Sequence, residues 1–356
     1  MAAGDGLAAT KIASIASIAS IASIKTTTTA ASMPMQLNME PRPVLAVCLN
    51  PAWQKTLIFS HLQPGEVNRA RRVHECGGGK GVNVARVFRR LGLPVAVAAF
   101  AGGYPGQRLR GEFGEVGVEP IVVDVAATTR CCFTVISEDD GVVTELIEPS
   151  GPIAAREEEA LQMLVNGQIR RFGAVALSGT VPPGISGEFY ASVAREAAMH
   201  GVPVLLDAVK DIAATLQAGV TMLKINAAEL RELGGADDVA ESAQRLCRRF
   251  AALAWLAVTD GPRPAQLFSR SRSWRFTLPA LPRVVSAIGG GDCTAAILCR
   301  RLAEKPDATD ELMADFYAEA LACASASCLT DTPSVFDPAE AMKIRAAIII
   351  EAVRKA

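Results

Sequence analysis

Seven short runs, at 44–49, 95–100, 121–125, 174–177, 202–206, 222–225 and 256–259, are dominated by apolar residues, several without interruption. A strand with one wet face alternates apolar and polar residues. An unbroken run needs cover on both faces, which parallel sheets obtain from flanking helices. Segments of helical character lie between the runs, at 80–92, 105–117, 154–170, 186–200, 227–233, 237–251, 292–303 and 308–329. This alternation predicts an α/β fold, a doubly wound, mostly parallel sheet flanked by helices. Two stretches break the rhythm. Segments 56–59 with 67–74, and 130–137 with 142–147 around Glu138-Asp-Asp-Gly141, read as short strands and a hairpin with no helix between.

The chemistry concentrates in two glycine-rich stretches. Ser286-Ala-Ile-Gly289-Gly290-Gly291-Asp292-Cys-Thr294 runs straight into a helix-forming segment. Residues without Cβ let a turn gather several N–H groups around one point, and the helix start adds positive potential there. Such a place suits a phosphate, and Asp292 at its edge could take a proton from an attacking hydroxyl. Alone, the stretch also fits a plain helix start with Asp292 as its cap. The second stretch, Gly77-Gly78-Gly79-Lys80-Gly81-Val82-Asn83, also opens an amphipathic helix. It is no Walker A loop, because Gly81 and not Ser or Thr follows Lys80, and Val82 breaks a dinucleotide fingerprint. What remains is a backbone cradle for a polar or anionic ligand. A nicotinamide dehydrogenase is disfavoured.

Four motifs in order now stand out: Gly78-Gly79-Lys80-Gly81-x-Asn83, Ser178-Gly-Thr-Val-Pro182-Pro183-Gly184, Lys224-x-Asn226-x-x-Glu229 and Gly289-Gly290-Gly291-Asp292. Together they resemble the ribokinase/PfkB sugar-kinase family across roughly residues 43–340. Asn50-Pro51-Ala52, Gly65-Glu66-Val67-Asn68-Arg69 and Glu148-Pro149-Ser150-Gly151-Pro152 are most similar to its branch of 1-phosphofructokinases and tagatose-6-phosphate kinases.

The resemblance implies a ribokinase-like domain over 41–356, with a small β-sheet lid from strands near 56–75 and 130–148. It implies ATP and Mg²⁺ as cofactors and a ketohexose phosphate as substrate: fructose 1-phosphate, or else tagatose 6-phosphate. Asp292 becomes the general base, with the N–H groups of Gly289, Gly290 and Gly291 as anion hole. Gln54, Gly78, Gly79, Lys80, Asn83 and Ser178 fall to the sugar, with Arg130 and, second, Arg69 for its phosphate. Lys224, Asn226, Glu229, Thr259 and Gly261 fall to the nucleotide. Asn226 and Glu229 would hold Mg²⁺ through water; by spacing alone they also fit an exposed helix-surface pair. Two departures matter. Gly290 replaces the usual Ala or Ser, and Gln54 replaces an aspartate that accepts from sugar hydroxyls, which leaves the sugar open. A kinase of an unphosphorylated sugar or nucleoside, or a non-catalytic sugar-phosphate sensor, are the alternatives. A homodimer through the lid is an expectation by analogy.

Charge narrows the partners. With 36 basic and 37 acidic residues and a net charge of −1, neither nucleic acid nor a membrane surface is expected. Nine scattered cysteines without C-x-x-C spacing fit reduced thiols and a cytoplasmic location. Residues 1–40 differ in kind. Four tandem Ile-Ala-Ser units at 12–23 have a period that builds neither a helix stripe nor a strand face, so a disordered low-complexity tail is expected. Its lack of arginine argues against an organellar leader.

Overall fold

The computed structural model describes residues 41–353; the expected disordered tail, 1–40, lies outside the described residues. The chain opens with β1 (Val44–Cys48), β2 (Ala52–Phe59), β3 (Arg72–Gly78), α1 (Lys80–Arg90), β4 (Val95–Ala101), α2 (Gly103–Val116), β5 (Glu119–Asp124), β6 (Arg130–Ser137) and β7 (Val142–Ile147). It continues through α3 (Ala155–Asn166), β8 (Ala174–Ser178), α4 (Glu188–Met199), β9 (Val204–Asp207), α5 (Ala213–Gly219), β10 (Met222–Asn226), α6 (Ala227–Gly234) and α7 (Val239–Arg249). The last third holds β11 (Trp255–Thr259), β12 (Ala265–Ser269), β13 (Ser273–Thr277), α8 (Gly290–Glu304), α9 (Asp310–Ser327), α10 (Pro338–Ala347) and β14 (Ile349–Val353).

A ten-stranded sheet runs in the order β14-β13-β12-β11-β10-β9-β8-β1-β4-β5. The strands from β11 to β5 are parallel, and β12, β13 and β14 extend the β11 side antiparallel. The doubly covered sheet expected from the apolar runs is present. In β1, Val44, Ala46 and Cys48 join a core cluster with residues of α1, α8 and α9. The alternate residues Leu45 and Val47 join another, with residues of α3, α4 and α7. Both faces of β1 are dry, which is why its sequence does not alternate.

A separate four-stranded sheet, in the order β3-β2-β6-β7, is the lid that the two irregular stretches foretold. Its β3 differs from expectation. Residues 67–71 are not strand, because Asn68 folds the preceding turn on itself: Oδ1 accepts from Gln63 N at 2.8 Å, and Nδ2 donates to the carbonyls of Gln63 and Glu66 at 2.8 and 2.9 Å. The strand begins at Arg72 and carries on through Gly78, so the first two glycines of the early stretch end a strand. β12, β13 and β14, with α5 and α10, were not legible as elements. In β13, buried Trp274 and Phe276 flank exposed Arg275, the alternation of a half-covered sheet margin and not of a central strand.

Candidate active site

The strand order reverses beside β1: the chain passes from there outward to β4 and β5, then returns on the other side to β8. Open α/β sheets bind ligands outside the carboxyl ends of strands at such a point. A cleft of about 830 Å³ lies there. Its floor comes from the ends of β1, β8 and β10, one wall from α1 and the start of α8, and its roof from the lid.

The two glycine-rich stretches meet in it. Asp292, in the first turn of α8, is 7% exposed, and its Oδ2 accepts from Asn83 Nδ2 of α1 at 2.7 Å. Residues 209 apart in the chain thus share one hydrogen bond. Burial pushes the Asp292 carboxyl above the ordinary carboxylate range and the nearby Asp207 carboxylate pushes the same way, while Asn83, Lys80 and Lys224 pull it back. Asp207, at the end of β9, accepts from Lys80 Nζ at 3.0 Å and lies 3.4 Å from Lys224 Nζ. Burial opposes the Lys80 ammonium, yet Asp207, Asp292 and Glu229 outweigh it and hold its pKa above the usual lysine value. Two carboxylates and two ammonium groups therefore balance at the floor.

The turn before α8 is held by shape. Gly289 has φ 82°, and a Cβ there would lie 2.7 Å from Ser334 Oγ, which donates to the Gly289 carbonyl at 2.9 Å. Ser334 itself has φ 60°, an uncommon conformation for a residue with a side chain. Gly291 leaves room for Lys224: a Cβ there would lie 2.6 Å from Nζ. Gly290 is different. A Cβ would meet nothing closer than 3.6 Å, so an Ala or Ser would have space here.

Period two places the lid's contribution. Gln54, Cys132 and Ile147 are register partners across β2, β6 and β7, and all three line the cleft, as do Arg130, Val143 and Glu145 from the same face. Gln54 is 6% exposed; its Nε2 donates to Thr134 Oγ1 at 3.2 Å, which leaves its carbonyl oxygen as the group offered to a ligand. Arg130 Nη2 donates to the Asn50 carbonyl at 3.2 Å, and its buried Nε has no partner among the described residues. Ser178 Oγ, fully buried at the end of β8, is equally unpartnered there. Cys48 and Cys132 also line the cleft as free thiols, kept protonated by burial.

Gly79, Lys80, Asn83, Arg130, Ser178, Gln54, Lys224, Asn226, Gly289, Gly291 and Asp292 all line the cleft. Gly78 and Gly290 are buried just behind it. Glu229 caps α6 with Asn226: Glu229 N donates to Asn226 Oδ1 at 2.9 Å, and Asn226 N to Glu229 Oε2 at 3.0 Å. The pair anticipated on one helix face is a capping box. Thr259 pairs in register with Asn226 on the next strand, and Gly261 sits in the exposed turn beyond; neither lines the cleft. Arg69 is exposed in the β2–β3 connection, just after the turn that Asn68 holds, and is not among the residues that line the cleft. Asn50 and Asp207 are the residues that sequence reasoning left without a role. Asn50 joins three motifs, donating to Thr180 Oγ1 at 3.0 Å and accepting from Ser150 at 2.7 Å. Its place in the Asn-Pro-Ala motif was the available signal.

An α/β sandwich with a β lid over a cleft, a buried carboxylate at a glycine-rich helix start and lysines beside it define a phosphoryl-transfer enzyme in layout. The sequence profile of pfkB family carbohydrate kinases matches residues 43–339. The chain belongs to that family: it is a sugar kinase, a phosphotransferase with an alcohol group as acceptor. Its fold is similar to the tetrameric inhibited form of phosphofructokinase-2 from Escherichia coli, with a TM-score of 0.74 and 22% identity over 86% of this chain and 98% of that one. It is likewise similar to a "possible 1-phosphofructokinase" from Thermotoga maritima (0.76, 20% identity, 87% and 99%). Arabidopsis thaliana ribokinase, complexed with ribose and ATP, is a further match (0.64, 20% identity, 86% and 99%). No helix among the described residues is long and apolar enough to cross a membrane.

Proposed function

We propose that the chain transfers the γ-phosphoryl group of ATP to a ketohexose phosphate, with fructose 1-phosphate at O6 as first choice and tagatose 6-phosphate at O1 as second. The observation that carries this is the buried Asp292 carboxylate, at a helix start, bonded across the cleft to Asn83 of the other glycine-rich stretch. The sugar hydroxyl gives its proton to an Asp292 oxygen while its own oxygen bonds the γ-phosphorus. The bond from that phosphorus to the bridging oxygen breaks, and ADP leaves. A carboxyl raised by burial is a stronger base than an exposed one, though it must be ionised to act. The N–H groups of Gly289, Gly290 and Gly291 would receive the charge that gathers on the transferred oxygens. Lys80 and Lys224, both on Asp207, are the positive charges beside it.

Mg²⁺, when bound with the nucleotide, would screen the phosphates. The donor set fits a hydrated ion and no protein cage: one Glu229 oxygen and Asn226 Oδ1 are already engaged in the cap, which leaves water-mediated contact. At the lid end, unpartnered Arg130 Nε offers a donor to the sugar's own phosphate, and the Gln54 carbonyl offers an acceptor to a hydroxyl. Lid closure would keep water from competing with the sugar. The outer edge of the lid, β7, exposes Val142, Leu146 and Ile147, which supports pairing with a second copy; sedimentation at rising concentration would detect the dimer, and a strict monomer would exclude it. The deciding experiment is ATP consumption over fructose 1-phosphate, fructose 6-phosphate, tagatose 6-phosphate and free hexoses. Turnover confined to free hexoses would move the assignment to an unphosphorylated sugar, and none with any sugar would favour a sensor.

A further inference from the structure

Arg86 lies one helical turn beyond Asn83 on α1, where the sequence suggests only an ordinary helix arginine. Its side chain is 15% exposed and its guanidinium is shared among four neighbours. Nη1 donates to Asn83 Oδ1 at 2.6 Å and to the Pro333 carbonyl at 3.4 Å. Nη2 donates to the Gly77 carbonyl and lies 3.7 Å from Glu112 Oε1. Glu112 in turn accepts from Gly77 N.

The chemistry of this chain of contacts has one solution. A guanidinium has donors only, and an ionised carboxylate has acceptors only. The Asn83 amide stands between the two, so only one orientation satisfies both: oxygen towards Arg86, nitrogen towards Asp292. Reversed, the amide oxygen would face the Asp292 carboxylate, and Arg86 would face an amide nitrogen.

We propose that Arg86 is a positioning residue for the base: it fixes the orientation of the Asn83 amide and thereby the hydrogen bond that Asn83 donates to Asp292. Its contact with Pro333 links the same device to the turn that clamps Gly289, since Pro333 and Ser334 are the residues packed against that glycine. The ionisable groups facing Asp292 itself are Asp207 from β9, Lys80 from α1, Lys224 from β10 and the thiols of Cys48 and Cys293. Arg86 acts on it through Asn83. A donor to the charged form lowers a carboxyl pKa, so losing the orientation raises it.

The inference rests on Asp292 as the base, and its test has a readout that does not need turnover. In protein carrying ¹³C-labelled aspartate, with Asp292→Asn assigning the resonance, the Asp292 carboxyl is titrated in the parent, Arg86→Met, Asn83→Ala and the double variant. The expected result is a higher midpoint in each single variant and no further rise in the double. In turnover, Arg86→Met should lower kcat at neutral pH about tenfold with KM for ATP little changed, and raise the acid limb. An unmoved midpoint in Arg86→Met, or a shift that adds in full to that of Asn83→Ala, would overturn the proposal. If Arg86→Met does not fold, Arg86→Gln, which keeps a donor for the Gly77 carbonyl, answers the same question. Absence of turnover in the parent would sink the kinase reading and leave this titration readable.

Discussion

The floor and the roof of the cleft each hold a carboxylate among cations, and the two behave oppositely. Asp292, on the floor, is buried on a helix of the main body, and burial raises its pKa despite two lysines nearby. Glu75, in lid strand β3, bonds Lys55 at 2.8 Å, Trp53 Nε1 at 3.2 Å and Arg108, and the Lys55 contact leads the set that draws it down to about 2. Water explains the difference. On the floor, desolvation outweighs the cations; in the partly wet lid, it does not. Burial makes the floor carboxyl the readier of the two to hold a proton, whereas the lid keeps its carboxylate charged down to about pH 2 as a fastener. Arg108, stacked 4.2 Å over the Trp53 ring, completes that fastener and ties α2 to the lid.

Substitutions should separate the two regions. The largest effect belongs to Asp292→Asn, expected to lower kcat by about 10²- to 10⁴-fold while sugar KM changes little. Steady-state kinetics on the best sugar would check this, and an unchanged kcat would remove Asp292 as base. Next comes Gly289→Ala. Its φ of 82° and the contact with Ser334 predict a loss of about 1–3 kcal/mol in chemical denaturation, with reduced turnover.

The pH responses should then diverge. As the proposed base, Asp292 would have to be ionised to act, so activity is expected to fall as pH drops through its raised pKa, at a higher pH than an ordinary carboxylate would give. Glu75 has the opposite sign: its depressed pKa contributes stability that is complete above about 4.5 and is lost as pH falls towards about 2. Trp53 fluorescence, compared with Glu75→Gln, would report the lid loosening in that lower window. Coincident midpoints for activity and fluorescence would break the contrast. The smallest effect is Gly290→Ala, expected to leave kcat within about twofold and to stabilise slightly, by about 0.4–1 kcal/mol in chemical denaturation.

How much of this was readable in advance follows the periodicities. Continuous apolar runs marked the central strands because both of their faces are dry, as Val44–Cys48 shows. The margin β12–β14 escaped because half-covered strands such as β13 carry a weaker, interrupted signal. Within the site, motif order brought together Asp292, Asn83, Lys80 and Lys224. It did not foresee the turn before Arg69, where Asn68 sets the path of the loop by side-chain bonds to Gln63 and Glu66. It was silent on Arg86, since nothing in a helix arginine announces a buried partner.

Local chemistry alone determined that this chain forms a covered parallel sheet and that two of its loops can cradle anions. These properties depend on neighbours a few residues away, and so they are written in spacing and residue type. The tertiary structure decided which groups face one another: that Asn83 meets Asp292, that Asp207 holds both lysines, and that Gln54 gives its amide nitrogen to Thr134. Those pairings join residues far apart in the chain. Their energies depend on burial and angle, which only the packed fold sets.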